Sequence, residues 1–276
     1  MSLKRNFPRI FGLGFLGTFG VILFGWGTVA QAQSDNSDLA KQLANPVASL
    51  ISVPFQLNYD GGYGSEDGDK TYLNVQPVVP LSLNDDWNLI SRTILPLVYQ
   101  NDIRGNSGTD AGLGDTVQSF FISPVEPTSG SLIWGVGPAL LLPTATDDAL
   151  GKDQWGAGPT AVGLYSKGGW TYGALTNHIW SSDEGSAASE TSATFFQPFL
   201  TYTTSDAWSY ILNSETTYDW EGDQWSVPVN ALVTKLTSIG DQKISVGGGV
   251  RYWAESPDAG PDGWGIRLQL TFLFPK

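Results

Sequence analysis

The sequence predicts an all-β chain, a transmembrane antiparallel up-and-down β-barrel of about 12 strands behind an N-terminal signal peptide and a short helix. Three observations lead there. Apolar and polar residues alternate with a period of two, most plainly at the end of the chain, where Trp264, Ile266, Leu268, Leu270, Phe272 and Phe274 are separated by Gly265, Arg267, Gln269 and Thr271. Connections between such segments alternate between long and short. Trp and Tyr gather at the ends of the segments, where an interfacial girdle would hold them.

Composition agrees. The 276 residues include 33 Gly, 16 Pro, 11 Trp, 10 Tyr and 13 Phe, and the mean hydropathy of -0.09 is too low for a helical membrane bundle but suits alternating lipid-facing and lumen-facing side chains. No cysteine is present, so neither disulfides nor thiolate metal sites enter. A formal charge of -13 excludes a phosphate-binding surface and with it a nucleic-acid partner.

Residues 1–32 read as a signal peptide. Lys4, Arg5 and Arg9 form a basic start, an uncharged run of ~20 residues follows, and Ala30-Gln31-Ala32 supplies small residues ahead of a cut before Gln33. Residues 33–49 form a periplasmic tail in which Ser37 or Asp38 caps a short helix through Leu39, Ala40, Leu43 and Ala44, ended by Pro46. That tail either packs on the barrel mouth or plugs it.

Residues 50–276 are the barrel. A first strand sets Ile51, Val53, Phe55, Leu57 and Tyr59 against Ser52, Gln56 and Asn58, and residues 60–69 follow as an acidic, glycine-rich loop. The return strand puts Leu73, Val75, Val79 and Leu81 on one face and turns at Asn84-Asp85-Asp86. Further strands are expected at 87–99, 113–124, 132–143, 154–165, 170–180, 193–203, 208–218, 225–236, 243–254 and 264–274. Trp87, Trp170, Trp208, Tyr165 and Tyr202 border short turns, while Tyr59, Tyr72, Tyr99, Trp155, Tyr218, Trp225, Tyr252 and Trp264 border long loops. Trp134-Gly135-Val136-Gly137-Pro138 returns as Trp155-Gly156-Ala157-Gly158-Pro159, a pattern for a bulge or kink between paired strands.

Parity also names the lumen. With Ile244, Val246, Val250 and Tyr252 toward lipid, Arg251 points inward, as do Arg267 and Gln269 of the last strand, Arg92, and Asn213 with Glu215. If Ala254 pairs with Trp264, Arg251 lies across from Arg267, and the two cations need a carboxylate or anion between them. They either brace the lumen as a paired network or form a constriction that favours anionic or polarisable solutes. The acidic loops lack the spacing of a calcium-binding hand and read as solvated. No metal or cofactor is called for. A membrane-embedded esterase or phospholipase is a competing reading and would have to use the single histidine, His178, with Asn177 or Ser181 beside it, but no Gly-x-Ser-x-Gly elbow is present. A structural or adhesion barrel without a pore is the other.

The segments Asn45-Pro46-Val47-Ala48-Ser49-Leu50-Ile51-Ser52-Val53-Pro54, Gly112-Leu113-Gly114-Asp115, Trp134 to Pro138, Pro143-Thr144-Ala145-Thr146, Gln197-Pro198-Phe199 and Phe272-Leu273-Phe274-Pro275 resemble the outer-membrane transporter family named after the MetA pathway of phenol degradation, some members of which carry the name neuromedin U. The resemblance implies a barrel in the bacterial outer membrane that passes small solutes, aromatic or apolar compounds or small anions, without catalysis. Outer-membrane lipids, lipopolysaccharide and the barrel-assembly machinery are the partners it implies. The sequence departs from the usual aromatic terminus in that Pro275 and Lys276 follow Phe274.

Overall fold

A computed structural model describes residues 26–103, 108–128, 131–181 and 190–275; most of the expected signal peptide therefore lies outside the described residues. After α1 (Trp26–Leu43) come β1 (Ile51–Tyr63), β2 (Gly68–Val75), β3 (Val78–Ser82), β4 (Trp87–Asn101), β5 (Thr109–Leu113), β6 (Thr116–Pro124), β7 (Leu132–Leu142) and β8 (Gly156–Lys167). The chain continues through β9 (Trp170–Ser181), β10 (Ser192–Thr203), β11 (Trp208–Ser214), β12 (Thr216–Asp219), β13 (Gln224–Ile239), β14 (Gln242–Glu255) and β15 (Gly263–Phe274). All pairings are antiparallel, and β15 returns to β1 as β9 does to β10, so the sheet closes on itself.

Three barrel strands are broken, which is why fifteen segments make twelve strands: β2 with β3, β5 with β6, and β11 with β12. The sequence reads the first and third pairs as continuous strands and leaves residues 109–112 of β5 in a loop. Pro77 removes a ladder donor at the first break. At the second, Asp115 turns from the ladder, its carboxylate accepting hydrogen bonds from the amides of Ala145 (3.2 Å) and Lys152 (2.6 Å). At the third, Glu215 faces Pro228, which has no N–H to offer, and the neighbouring register shifts between Val227 and Pro228.

Alternation sorts the faces as expected. Leu57, Leu97, Val136, Leu212, Val246, Val250, Ile266 and Leu268 are exposed on the outer wall, where nothing but hydrocarbon could cover them favourably. Tyr165, Trp170, Tyr202 and Trp208 ring the short-turn end, and Tyr59, Tyr99, Trp155, Trp225, Tyr252 and Trp264 the long-loop end. Tyr72 does not belong to that ring. It pairs with the inward Asn58 and points into the lumen.

Other expectations need correction. The loop at 60–69 shrinks to a four-residue turn, because β1 runs to Tyr63 and β2 begins at Gly68; Gly62 and Gly64 take the positive φ that its bend demands. Residues Trp26–Leu43 are already helical, so Ser37 and Asp38 lie within the helix rather than capping it. Ile244 has the outward parity but is buried. The repeated Gly-Pro motif is a bend rather than a bulge: Pro138 pairs with Pro159, and hydrogen bonding lapses at Gly137 and Gly158 without a register shift.

Beyond α1, residues 44–50 cross the short-turn end. Ala40, Ala48 and Leu50 pack on Ala207, Leu236 and Leu273, while Val47 reaches an apolar patch of the lumen formed by Ile90, Phe121, Val162, Leu164 and Leu175.

Candidate functional site

At mid-height the lumen holds a network of charged side chains from five strands and the β11–β12 break. Arg267 on β15 is 1% exposed and Arg251 on β14 is 2% exposed. Arg267 grips Glu215 with two parallel bonds, Nη1 to Oε1 at 2.8 Å and Nη2 to Oε2 at 2.7 Å, and its Nε donates to the Asn58 side-chain oxygen at 2.6 Å. Arg251 donates through Nη2 to Glu215 Oε2 (2.8 Å), through Nη1 to Asp60 Oδ2 (2.8 Å) and Tyr72 Oη, and through Nε to Asn230 Oδ1 (2.9 Å). Trp253 donates to the other Asp60 oxygen at 3.0 Å. Every guanidinium nitrogen of these two arginines is thus engaged, as buried charge requires.

Strand geometry explains the meeting. Asn58 and Asp60 share the inward parity of β1, and Asn58 lies opposite both Arg267 and Tyr72. Arg251 pairs with Gly265 and Arg267 with Gly249, not with each other. The expected register is two residues out, since Tyr252 rather than Ala254 faces Trp264. A slip of two leaves both arginines facing inward. It also sets each beside a glycine, and the one at 265 has a purpose: a Cβ there would stand 2.3 Å from Asp60 Oδ1. Glu215 stays opposite Pro228, its amide donating to the Pro228 carbonyl at 3.3 Å, and its inward carboxylate reaches both guanidinia.

The remaining predicted residues lie at the edge of this network. Asn213 accepts a hydrogen bond from Asn230 at 2.8 Å and Gln269 donates to Thr271 at 3.3 Å. Arg92, within electrostatic reach of Glu215, makes no side-chain hydrogen bond or ion pair with any described residue. With Arg267, these three line a cavity of about 200 Å³ on the short-turn side, roofed by residues 42–48. On the long-loop side a second cavity of about 330 Å³ is lined by Asp115, Lys152, Thr217, Asp219, Gln224 and Ser226.

Asp60, Tyr72, Asn230 and Trp253 are the network positions that sequence reasoning missed. Asp60 continues the parity of Gln56 and Asn58, a signal hidden by the glycines after it. His178 stands on the outer wall with Nδ1 2.7 Å from Thr194 Oγ1. The Ser181 hydroxyl instead donates to Gln154 at 2.5 Å, so among the described residues no serine pairs with the histidine.

The family described as "Putative MetA-pathway of phenol degradation" matches residues 58–276. No curated protein matches the chain in sequence. Among solved structures, an outer membrane channel from Pseudomonas putida F1 superposes with a TM-score of 0.64 at 16% identity, over 82% of this chain and 96% of that one. The Salmonella typhi outer membrane phospholipase gives 0.46 at 8% identity over 87% and 98%, too distant for any argument. The fold is that of an outer-membrane channel barrel, and over four-fifths of its length the chain belongs to the family named for the MetA pathway of phenol degradation.

Proposed function

We propose that this protein is a passive channel of the bacterial outer membrane for small solutes, exported by residues 1–32, with 33–49 seated in its periplasmic mouth and 50–276 forming the wall. The supporting observation is the pair of cavities, about 330 Å³ and about 200 Å³, on either side of the arginine–carboxylate network. Barrels of about eight strands are filled by their own side chains, whereas twelve leave space that polar groups line. A network of this kind screens what passes by charge and size rather than sieving. Small anions and aromatic or apolar compounds are the solutes this lumen suits.

Swelling of liposomes carrying the purified protein, with solutes graded in size, tests the proposal. Permeation of the smallest solutes with a sharp cut-off is expected. Failure of every solute to enter, with folded barrel present, would leave a structural or adhesion barrel instead.

A further inference from the structure

Among the described residues, the short-turn cavity brings Arg92, a cation with no side-chain partner, together with walls that are half apolar and half polar, and we propose that it is a binding site for small organic monocarboxylates, their carboxylate on Arg92. The inference rests on the channel reading and names the solute class of the same lumen.

The argument is one of charge balance. The network contains three arginines, Arg92, Arg251 and Arg267, against two carboxylates, Asp60 and Glu215. Both carboxylates are used up: Asp60 by Arg251 and Trp253, Glu215 by Arg251 and Arg267. Arg92 is left with long-range attraction to Glu215 alone. Its place on β4, paired with Val78 and Ser119, holds it on the lumen side of the wall. A guanidinium so placed presents a planar fork of donors that matches a carboxylate better than a spherical ion.

The cavity walls decide what the carboxylate is attached to. Leu50, Val78, Phe199, Ile211 and Leu232 line it together with Gln56, Gln76, Gln197 and several serines and threonines. The apolar side chains are the part of that surface that the body of the ligand would gain by covering, and the hydroxyls leave room for a polar substituent. About 200 Å³ lies below the usual range for drug-sized ligands, so the body is a single ring or a short chain.

The probe is 4-fluorobenzoate, with 4-fluorobenzyl alcohol as its uncharged match, followed by 19F NMR against the folded barrel in non-ionic detergent and corrected with empty micelles. The wild type should bind the acid roughly tenfold or more tighter than the alcohol, the margin of a charge-assisted hydrogen bond. Arg92→Gln should reduce that preference to near unity, and Phe199→Ala should weaken both compounds alike. Arg92→Lys, which keeps the charge and loses the fork, serves if the glutamine variant fails to fold by gel mobility; an intermediate preference supports the site. Equal binding of acid and alcohol by the wild type, or a preference unmoved by either Arg92 variant, overturns it. So does displacement of the acid by chloride at matched concentration, which would mark an inorganic-anion site. Benzoate binding without any liposome permeation would refute the channel and spare this site; permeation without an Arg92-dependent preference would do the reverse.

Discussion

Glu215 and Arg267 meet across the lumen through two parallel hydrogen bonds of 2.8 and 2.7 Å, although 52 residues separate them and Glu215 belongs to no strand. The relationship depends on the inward face that the two share. Glu215 keeps its place opposite Pro228, its amide donating to the Pro228 carbonyl at 3.3 Å, and its side chain lies between Arg267 and Arg251. The repulsion that two inward arginines would otherwise feel is turned into attraction to a shared anion.

Glu215→Gln should therefore be costly for its size. The amide keeps the shape but leaves two guanidinia, each at most 2% exposed, without their shared charge, and breaking a buried pair from one side costs about 3 kcal/mol or more. Urea unfolding in lipid vesicles reads the loss. Planar-bilayer reversal potentials should move toward anions at the same time, because the lumen gains positive charge; a variant as stable and as selective as the wild type would deny the network any role.

Replacing Arg251 and Arg267 together by Ser removes two cations and leaves Asp60 and Glu215 as the inward charges nearest Arg92. The reversal potential should shift toward cations. Unchanged selectivity would mean that the ions travel by a route that avoids this network.

How much of this was legible in the sequence follows from what periodicity can and cannot encode. Parity puts Arg92, Asn213, Arg251, Arg267 and Gln269 on the lumen face whatever the register, since a slip of two residues preserves it, as the β14–β15 pairing shows. Register itself is set by the loop. It went astray by two residues at the β14–β15 connection, where alternation does not say how many residues the loop takes. Asp60 was hidden for a similar reason: Gly61, Gly62 and Gly64 read as loop, yet they let β1 bend and continue to Tyr63. Tyr72 shares its type with the girdle, although alternation with Leu73 and Val75 already sets it on the inward face, opposite Asn58. The break at Glu215 lies opposite a proline of a neighbouring strand, Pro228, and a scan of one strand at a time does not register it.

Gly265→Ala tests the closeness of the network. The added Cβ would lie 2.3 Å from Asp60 Oδ1 and 2.6 Å from the Tyr59 carbonyl, so the carboxylate must retreat from Trp253 or the backbone must shift, at about 1–3 kcal/mol. Gly163→Ala is the control, because nothing lies within 4 Å of its Cβ position; it should be neutral or slightly stabilising. Equal effects of the two in vesicle unfolding would show that Asp60 does not need the space.

The outer wall offers the last test, and it bears on whether hydrocarbon covers this protein. Leu268, near the middle of β15 and paired with Leu57, is 54% exposed on the outward face. In water such a position tolerates arginine at little cost, since a surface substitution away from any special contact usually changes stability by about 0.5 kcal/mol or less. At the midplane of a bilayer the same arginine costs about 2–4 kcal/mol, falling toward zero near the interfaces. Leu268→Arg in phospholipid vesicles should therefore be strongly destabilising, and Trp264→Arg, four residues nearer the long-loop end and 68% exposed, much less so. A graded penalty along one strand face has no source in a soluble sandwich, where both side chains would meet solvent; a flat profile would take the barrel out of the membrane.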